Sequence, residues 1–262
     1  MKQVRSLDRG LDLMEVLARE GAQTLAQLHA ATGLPKSTIR RLLATLQARR
    51  IVRQTVSDGR YRINIAMPAV LGDPLPPLAA AAIDLVVAAA TDLTRDVGWP
   101  SDIHVPEGVA MRIVDSTRPL SPFHMFTVEA NRRVSIFGSA AGLCYLASLP
   151  PAAVAALEAR TRGDLRWGLA RFRMTPANLE AELATTRARG YGRRLPGYVG
   201  ESPRSDELFA IAVPVRQRER VWGIMTLAWP RAHLPVKEFA DRFLAPLQAA
   251  AARASTQLGD LL

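Results

Sequence analysis

Lys36-Ser37-Thr38-Ile39-Arg40-Arg41 lines up cations and small hydroxyls directly behind a Gly33-Leu34-Pro35 turn. On a helix starting at Pro35 these groups fill the first turns. An arginine fork fits guanine or phosphate, short side chains allow close approach to a groove, and the helix N-terminus adds backbone donors. A second stretch, Ser139-Ala140-Ala141-Gly142, is small enough to leave N–H groups open at a helix start, which suits a carboxylate. Catalysis has no comparable support. H-E-x-x-H, G-x-S-x-G, P-loop and G-x-G-x-x-G patterns are all missing, so no catalytic residue is expected. Four dispersed histidines (His29, His104, His124, His233) and the single Cys144 give no metal-ligand spacing; no metal, cofactor or disulfide is expected. Cys144 lies on an apolar stretch and reads as an inert small hydrophobe.

The positive charge is concentrated. Residues 1–66 hold 12 Lys/Arg against 5 Asp/Glu, whereas residues 67–262 hold 22 against 19. Clustered bases displace counterions from phosphate, so a polyanion partner for the N-terminal quarter follows. A merely basic, solvated surface is the competing reading. Lys2, Arg5 and Asp8 precede any apolar run, unlike a signal peptide. The most apolar tract, Leu78–Ala90, is alanine-rich, broken by Asp84 and too short to span a membrane. A cytoplasmic protein with no membrane partner is the expectation.

The elements that must position these groups follow from periodicity. Arg5–Arg19 carries one apolar stripe and stops at Gly21. Thr24 with Gln27 three residues on is a capping box for a second helix, closed by Gly33. In the third helix Ile39, Leu42, Leu43 and Leu46 repeat at i, i+3, i+4, i+7, which leaves Ser37, Arg41, Ala44 and Ala48 outward with Arg40 on the flank. Ile51–Gln54 and Arg60–Ile65 read as strands across an Asp58-Gly59 turn, with Tyr61, Ile63 and Ile65 inward and Arg60, Arg62 and Asn64 outward. Helix, tight turn, basic helix and hairpin is the order of a winged helix-turn-helix. The alternative for Arg60 and Arg62 is an exposed strand with solvated charges.

Pro68–Pro77 is the clear break in composition. A helix over Leu78–Val97 follows, then strands at Ser101–Val105 and Val109–Thr117. Helices are expected at Gly138–Leu149, Ala152–Arg162, Pro176–Arg189 and Val236–Gln257, and a hairpin at Phe209–Val215 and Val221–Ala228. Strands mixed with helices and an antiparallel hairpin indicate an α+β domain. The expected division is 1–67 for the winged helix-turn-helix, 68–97 for a linker and linker helix, and 98–262 for the α+β domain.

In that order the chain resembles the IclR family of bacterial transcription regulators over nearly its whole length. The resemblance rests on Ser6-Leu7-Asp8-Arg9-Gly10-Leu11, Thr32-Gly33-Leu34-Pro35-Lys36-Ser37-Thr38, Tyr61-Arg62-Ile63 and Gly138–Ala147. Arg189-Gly190-Tyr191-Gly192 and Ile211-Ala212-Val213-Pro214-Val215 add to it. Within the family, Trp99-Pro100-Ser101-Asp102, Phe123-His124 and Leu143 look most like the MhpR-type activators of aromatic-acid catabolism.

The resemblance implies a mostly α winged helix-turn-helix domain, a linker helix, and an α+β GAF-like effector-binding domain with an antiparallel sheet. It implies binding of double-stranded DNA at a pseudo-palindromic operator by a homodimer, with dimers pairing into tetramers on DNA, and RNA polymerase as a further partner of an activator. Expected DNA contacts are Lys36, Ser37, Thr38, Arg40 and Arg41 on the helix from Pro35, Arg60 and Arg62 in the wing, Arg5 and Arg9 on the first helix, and the cap at Thr24. The effector is expected to be a small carboxylic acid. Its pocket would use Ser139, Ala140, Ala141 and Gly142 as anion anchor, with Phe123, Phe126, Ala210, Thr226 and Ala228 around it. Two Phe and several Ala suit an aromatic or phenylpropanoid acid, although each is also an ordinary core residue. Trp99 and His104 could line the pocket, His104 reading first as a hydrogen-bonded strand histidine. Arg133 could pair with a carboxylate but reads as a surface arginine. Other readings are a repressor of a keto-acid or other carbon-source pathway, an enzyme with an accessory winged helix, and a protein-interaction module.

Overall fold

The computed structural model describes residues 4–55, 58–64, 75–123, 132–201 and 207–261. The chain divides into two compact units, Met1–Pro74 and Leu75–Leu262.

The first unit consists of α1 (Arg5–Glu20), α2 (Leu25–Thr32), α3 (Lys36–Ala48), β1 (Val52–Gln54) and β2 (Tyr61–Ile63). The helical stripes meet in a core of Leu13, Leu17, Leu28, Ile39, Leu43 and Val52. Thr24 closes the capping box with Gln27 that its spacing predicts. Gly33 takes the left-handed conformation (φ 67°) that ends α2. Two side chains brace this turn. Thr32 Oγ1 donates to Leu28 O at 2.7 Å, and His29 Nδ1 donates to Leu34 O at 2.7 Å. The strands pair antiparallel with Arg53 opposite Arg62, and Tyr61 also bridges Gln23. Ile65 and the stretch 68–74 fall outside the described residues.

The second unit is a six-stranded antiparallel sheet in the order β5-β4-β3-β8-β7-β6. Its strands are β3 (Asp102–Glu107), β4 (Ala110–Ser116), β5 (Arg133–Ser135), β6 (Gly192–Arg193), β7 (Leu208–Gln217) and β8 (Arg220–Pro230). One face carries α4 (Pro77–Val97) and α8 (Val236–Leu261), packed on Ile103, Ile211, Val213, Met225, Leu227 and Trp229. The other carries α5 (Ala140–Ala147), packed on Met111, Ala212 and Ile224, with α6 (Pro151–Arg160) and α7 (Pro176–Arg189) beyond it. Alternate residues of β7 and β8 serve opposite cores, as the two-residue period of a strand requires. The helix expected as a linker is thus an integral layer of the second unit, because Ala82, Ile83, Val86, Ala90 and Leu93 bury against the sheet. The short edge strands β5 and β6 were not foreseen, since neither carries a hydrophobic alternation of its own. No helix among the described residues is long and apolar enough to cross a membrane.

Candidate functional site

The α3 N-terminus is an exposed, uncapped cationic surface. Pro35 occupies its N-cap position and supplies no side-chain cap. Ile39 N is the first to bond back, to Pro35 O, which leaves the N–H groups of Lys36, Ser37 and Thr38 open. Lys36, Ser37, Arg40 and Arg41 are exposed and Thr38 is half-buried. Among the described residues no side-chain hydrogen bond or ion pair holds Lys36, Arg40 or Arg41. Small exposed residues (Ala44, Thr45, Ala48) continue the same face. A surface of this kind can take phosphate oxygens at its tip and base edges along its first turns. Arg5 and Arg9 are exposed on α1, whereas Thr24 is occupied with its cap.

The wing departs from expectation. Arg62, expected outward, donates to Asp58 at 2.7 Å and to Thr55 Oγ1 at 3.0 Å. Arg60 turns back to Ala22 O at 3.2 Å and Gln27 Oε1 at 3.4 Å. Both guanidiniums therefore fasten the hairpin, Arg62 across its turn and Arg60 to the α2 capping box. The exposed cations nearby are Arg49, Arg50 and Arg53. Arg50 stands in the left-handed region (φ 58°), and Asn64 Nδ2 donates to its carbonyl at 3.1 Å. Arg53 was passed over because its strand is short; its place in register opposite Arg62 is the signal that could have found it.

The Ser139–Gly142 stretch is a buried helix start. Ser139 is the N-cap, its side chain accepting from Gly142 N at 3.0 Å, while its own N–H donates to Ser135 O at 3.1 Å. The N–H groups of Ala140 and Ala141 have no partner among the described residues. Both alanines are buried in the α5-side core. Gly142 is required by packing: an added Cβ would lie 2.1 Å from Ile136 O. Beside this helix start Tyr198 and Phe172 lie edge to face over Gly138. The Tyr198 hydroxyl accepts from Ser135 N at 3.2 Å and donates to Glu201 at 3.1 Å, and Arg171 pairs with Glu201 at 2.6 Å. Burial, with Glu201 adding to it, pushes the phenol above its ordinary range, so it stays protonated. Burial likewise pushes the Cys144 thiol up to about 12, which fits its reading as inert.

On the same face, Ala210 pairs with Ala228 and Ala212 with Thr226 across the hairpin. Thr226 is already engaged: its hydroxyl accepts from Asp102 N at 3.2 Å and donates to Asp102 O at 3.0 Å. Trp99 and Phe123 do not join the anchor. They stack on each other at 4.2 Å, and Trp99 packs with Phe239, Phe243 and His233 on the α8 side, across the sheet from Ser139–Gly142. Phe126 lies outside the described residues. Arg133 pairs with Glu107 at 3.2 Å beside the Trp167 ring, a half-exposed surface arginine.

Next to Thr226 lies a buried polar cluster that motif reading missed. Arg118 grips the Asp102 carboxylate through Nε at 3.0 Å and Nη2 at 2.8 Å, and Ser116 Oγ donates to it at 2.7 Å. Burial would raise this carboxyl, but Arg118, by charge and hydrogen bond, holds it below its ordinary value. His104, two residues on, has the backbone of Asp102 and Ile224 within hydrogen-bonding reach of its ring, in keeping with a hydrogen-bonded strand histidine. Burial pushes the imidazole down to about 4 against the pull of Asp102, so the ring is neutral.

Residues 6–55 match the IclR helix-turn-helix domain. The transcriptional repressor IclR of Escherichia coli is 31% identical over 199 residues, 72% of this chain and 68% of that protein. The chain belongs to the IclR family of transcriptional regulators. The probable transcriptional regulator SauR of Cupriavidus necator is 26% identical over 232 residues, 88% of both chains. An IclR homolog from Microbacterium hydrocarbonoxydans, whose crystal structure is complexed with 4-hydroxybenzoate, shares the fold. It has a TM-score of 0.54 and 19% identity over 97% of this chain and 99% of that one. The winged helix-turn-helix and the α+β unit with its antiparallel sheet are thus the IclR architecture.

Proposed function

We propose that the chain is a DNA-binding regulator switched by a small carboxylic acid of the aromatic or phenylpropanoid class. The observation that carries this reading is a pair of open helix starts. That of α3 is exposed and cationic; that of α5 is buried, with two unclaimed N–H groups in a core shared with Ala210 and Ala212. The first suits phosphate and base edges, the second a carboxylate on an apolar body. The 4-hydroxybenzoate held by a relative of the same fold supports the aromatic class, as does the MhpR-like Trp99-Pro100-Ser101-Asp102. A homodimer would set two α3 helices about one turn of DNA apart over a pseudo-palindromic operator. The acid acts by binding one of two DNA-affinity states better than the other.

Two measurements test it. In anisotropy titrations against a duplex selected from a random pool, Arg41→Ala should cost about 1–3 kcal/mol; unchanged affinity removes Arg41 from the interface. In thermal-shift experiments on the full chain, 4-hydroxybenzoate or 3-phenylpropanoate should raise the melting point and pyruvate or glyoxylate should not. The opposite pattern would move the protein to the keto-acid reading.

A further inference from the structure

We propose that residues 160–173 of the second unit form a further DNA-contact surface, a sequence-blind grip on duplex phosphates that adds to the contacts of α3. This rests on DNA binding by the first unit and extends it.

The first sign is charge. Residues 160–173 hold five arginines and one acid, while the rest of 67–262 is balanced, with 17 cations against 18 acids. Arg171 is spent on Glu201 and on Gly200 O. The one acid, Asp164, is turned to the backbone, accepting from Arg166 N at 2.7 Å and Trp167 N at 2.9 Å. Arg160, Arg162, Arg166 and Arg173 are exposed. Among the described residues no side-chain hydrogen bond or ion pair holds any of these four.

The second sign is how they are held. The chain folds back on itself as soon as α6 ends: Asp164 N donates to Thr161 O at 3.0 Å and Gly168 N to Asp164 O at 2.9 Å. Gly168 is needed for that approach, since an added Cβ would lie 2.3 Å from Thr161 O. Arg171 Nη1 donates to Arg166 O at 3.1 Å and ties the next turn, Leu169–Phe172, to the same knot. Arg166 lies 5.0 Å from the centre of the Trp167 ring. Stacking occupies the flat face of a guanidinium and leaves its N–H edges free for an anion. Arg173 stands in the left-handed region (φ 51°, ψ 34°), where glycine would sit without strain. A strained residue that persists points to a use for its side chain.

Phosphate is the partner that fits. Guanidinium only donates, and its fork matches an acceptor-only group with two oxygens side by side. A protein partner would need an apolar centre to its interface, and Leu165 is the one large apolar side chain exposed in this segment. The polyanion that a regulator of this family meets is duplex DNA.

Salt titrations of the full chain, on a selected operator duplex and on a scrambled duplex of equal length, test this. The variant Arg162→Ala/Arg166→Ala/Arg173→Gly should lower the slope of log affinity against log salt by about two to three on both duplexes. The ratio of the two affinities should stay within about twofold of wild type, and the melting point should not fall. The control Arg218→Ala/Arg242→Ala/Arg253→Ala takes the same charge from exposed positions elsewhere in the unit. It should barely move the slope, because charges away from phosphate are screened. An unchanged slope in the first variant would overturn the surface and leave its arginines to an acidic protein. An equal loss in the control, or a loss confined to the operator, would overturn it as well. Absence of duplex binding by wild type would instead remove the DNA reading itself, and this surface with it.

Discussion

The helices α3 and α5 begin with much the same backbone chemistry and use it in opposite surroundings. At α3 the N–H groups open to solvent beside Lys36, Arg40 and Arg41; at α5 they are buried among alanines, with Ser139 spent on its own cap. Exposure makes the first a surface for a large polyanion whose own field does the steering. Under the proposed acid-binding role, burial would make the second worth more per hydrogen bond and would restrict it to a ligand small enough to enter. The same contrast holds for an ion pair in each of the two units. Arg62–Asp58 in the wing is open to water, whereas Arg118–Asp102 is enclosed, with both side chains under a tenth exposed.

The enclosed pair should give the largest effect. Arg118→Ala leaves the Asp102 carboxylate buried without its counter-charge and should cost the second unit about 3–5 kcal/mol. All four tryptophans (Trp99, Trp167, Trp222, Trp229) lie in that unit, so tryptophan emission during denaturant unfolding reads it alone. A loss under 1 kcal/mol would mean the pair is not the clasp it looks to be. Gly142→Ala comes next. Its Cβ would strike Ile136 backbone rather than a side chain able to swing away, which puts the cost at about 3 kcal/mol by the same assay.

Acid sensitivity separates the units further. The His104 imidazole titrates near 4 in the folded protein against an ordinary value of 6.5. Unfolded chains therefore take up a proton between those values that folded ones do not, and stability falls as pH drops through that window. The expected loss between pH 7 and pH 5 is about 2 kcal/mol in the tryptophan-reported transition, and His104→Leu should remove it. Asp102, held below its ordinary 3.8, adds a separate loss at more acid pH. The smallest effect is in the wing. Arg53→Ala should lower the salt slope of DNA binding by about one, while Arg62→Ala should leave the slope unchanged because its guanidinium is already claimed by Asp58 and Thr55. A slope lost with Arg62 and kept with Arg53 would reverse that assignment.

Much of the scaffold was legible in the sequence for a physical reason. Caps, glycine turns and apolar periods act within a few residues, so α7 was read at its observed ends and the Thr24–Gln27 box as it stands. The outward face of α3 was legible for the same reason. Side-chain commitments across distance were not. Arg60 reaches back more than thirty residues to Ala22 and Gln27, and the Asp102–Arg118 pair bridges two strands and a turn. Trp99 was expected near the proposed effector pocket from its neighbours in sequence, whereas it packs in the core on the α8 side of the sheet.

The two glycines that seat α5 bear on how a bound acid could be felt. Gly142 rests on Ile136 backbone, and Gly192 of β6 rests on α5 itself, where a Cβ would come within 2.3 Å of Ala140 O and 2.8 Å of Cys144 N. Backbone bearing on backbone has no rotamers with which to absorb a push. A ligand tugging on the N–H groups of Ala140 and Ala141 would therefore load β6, and through its ladder β7, as one stiff part. The glycines make the helix a lever instead of a cushion.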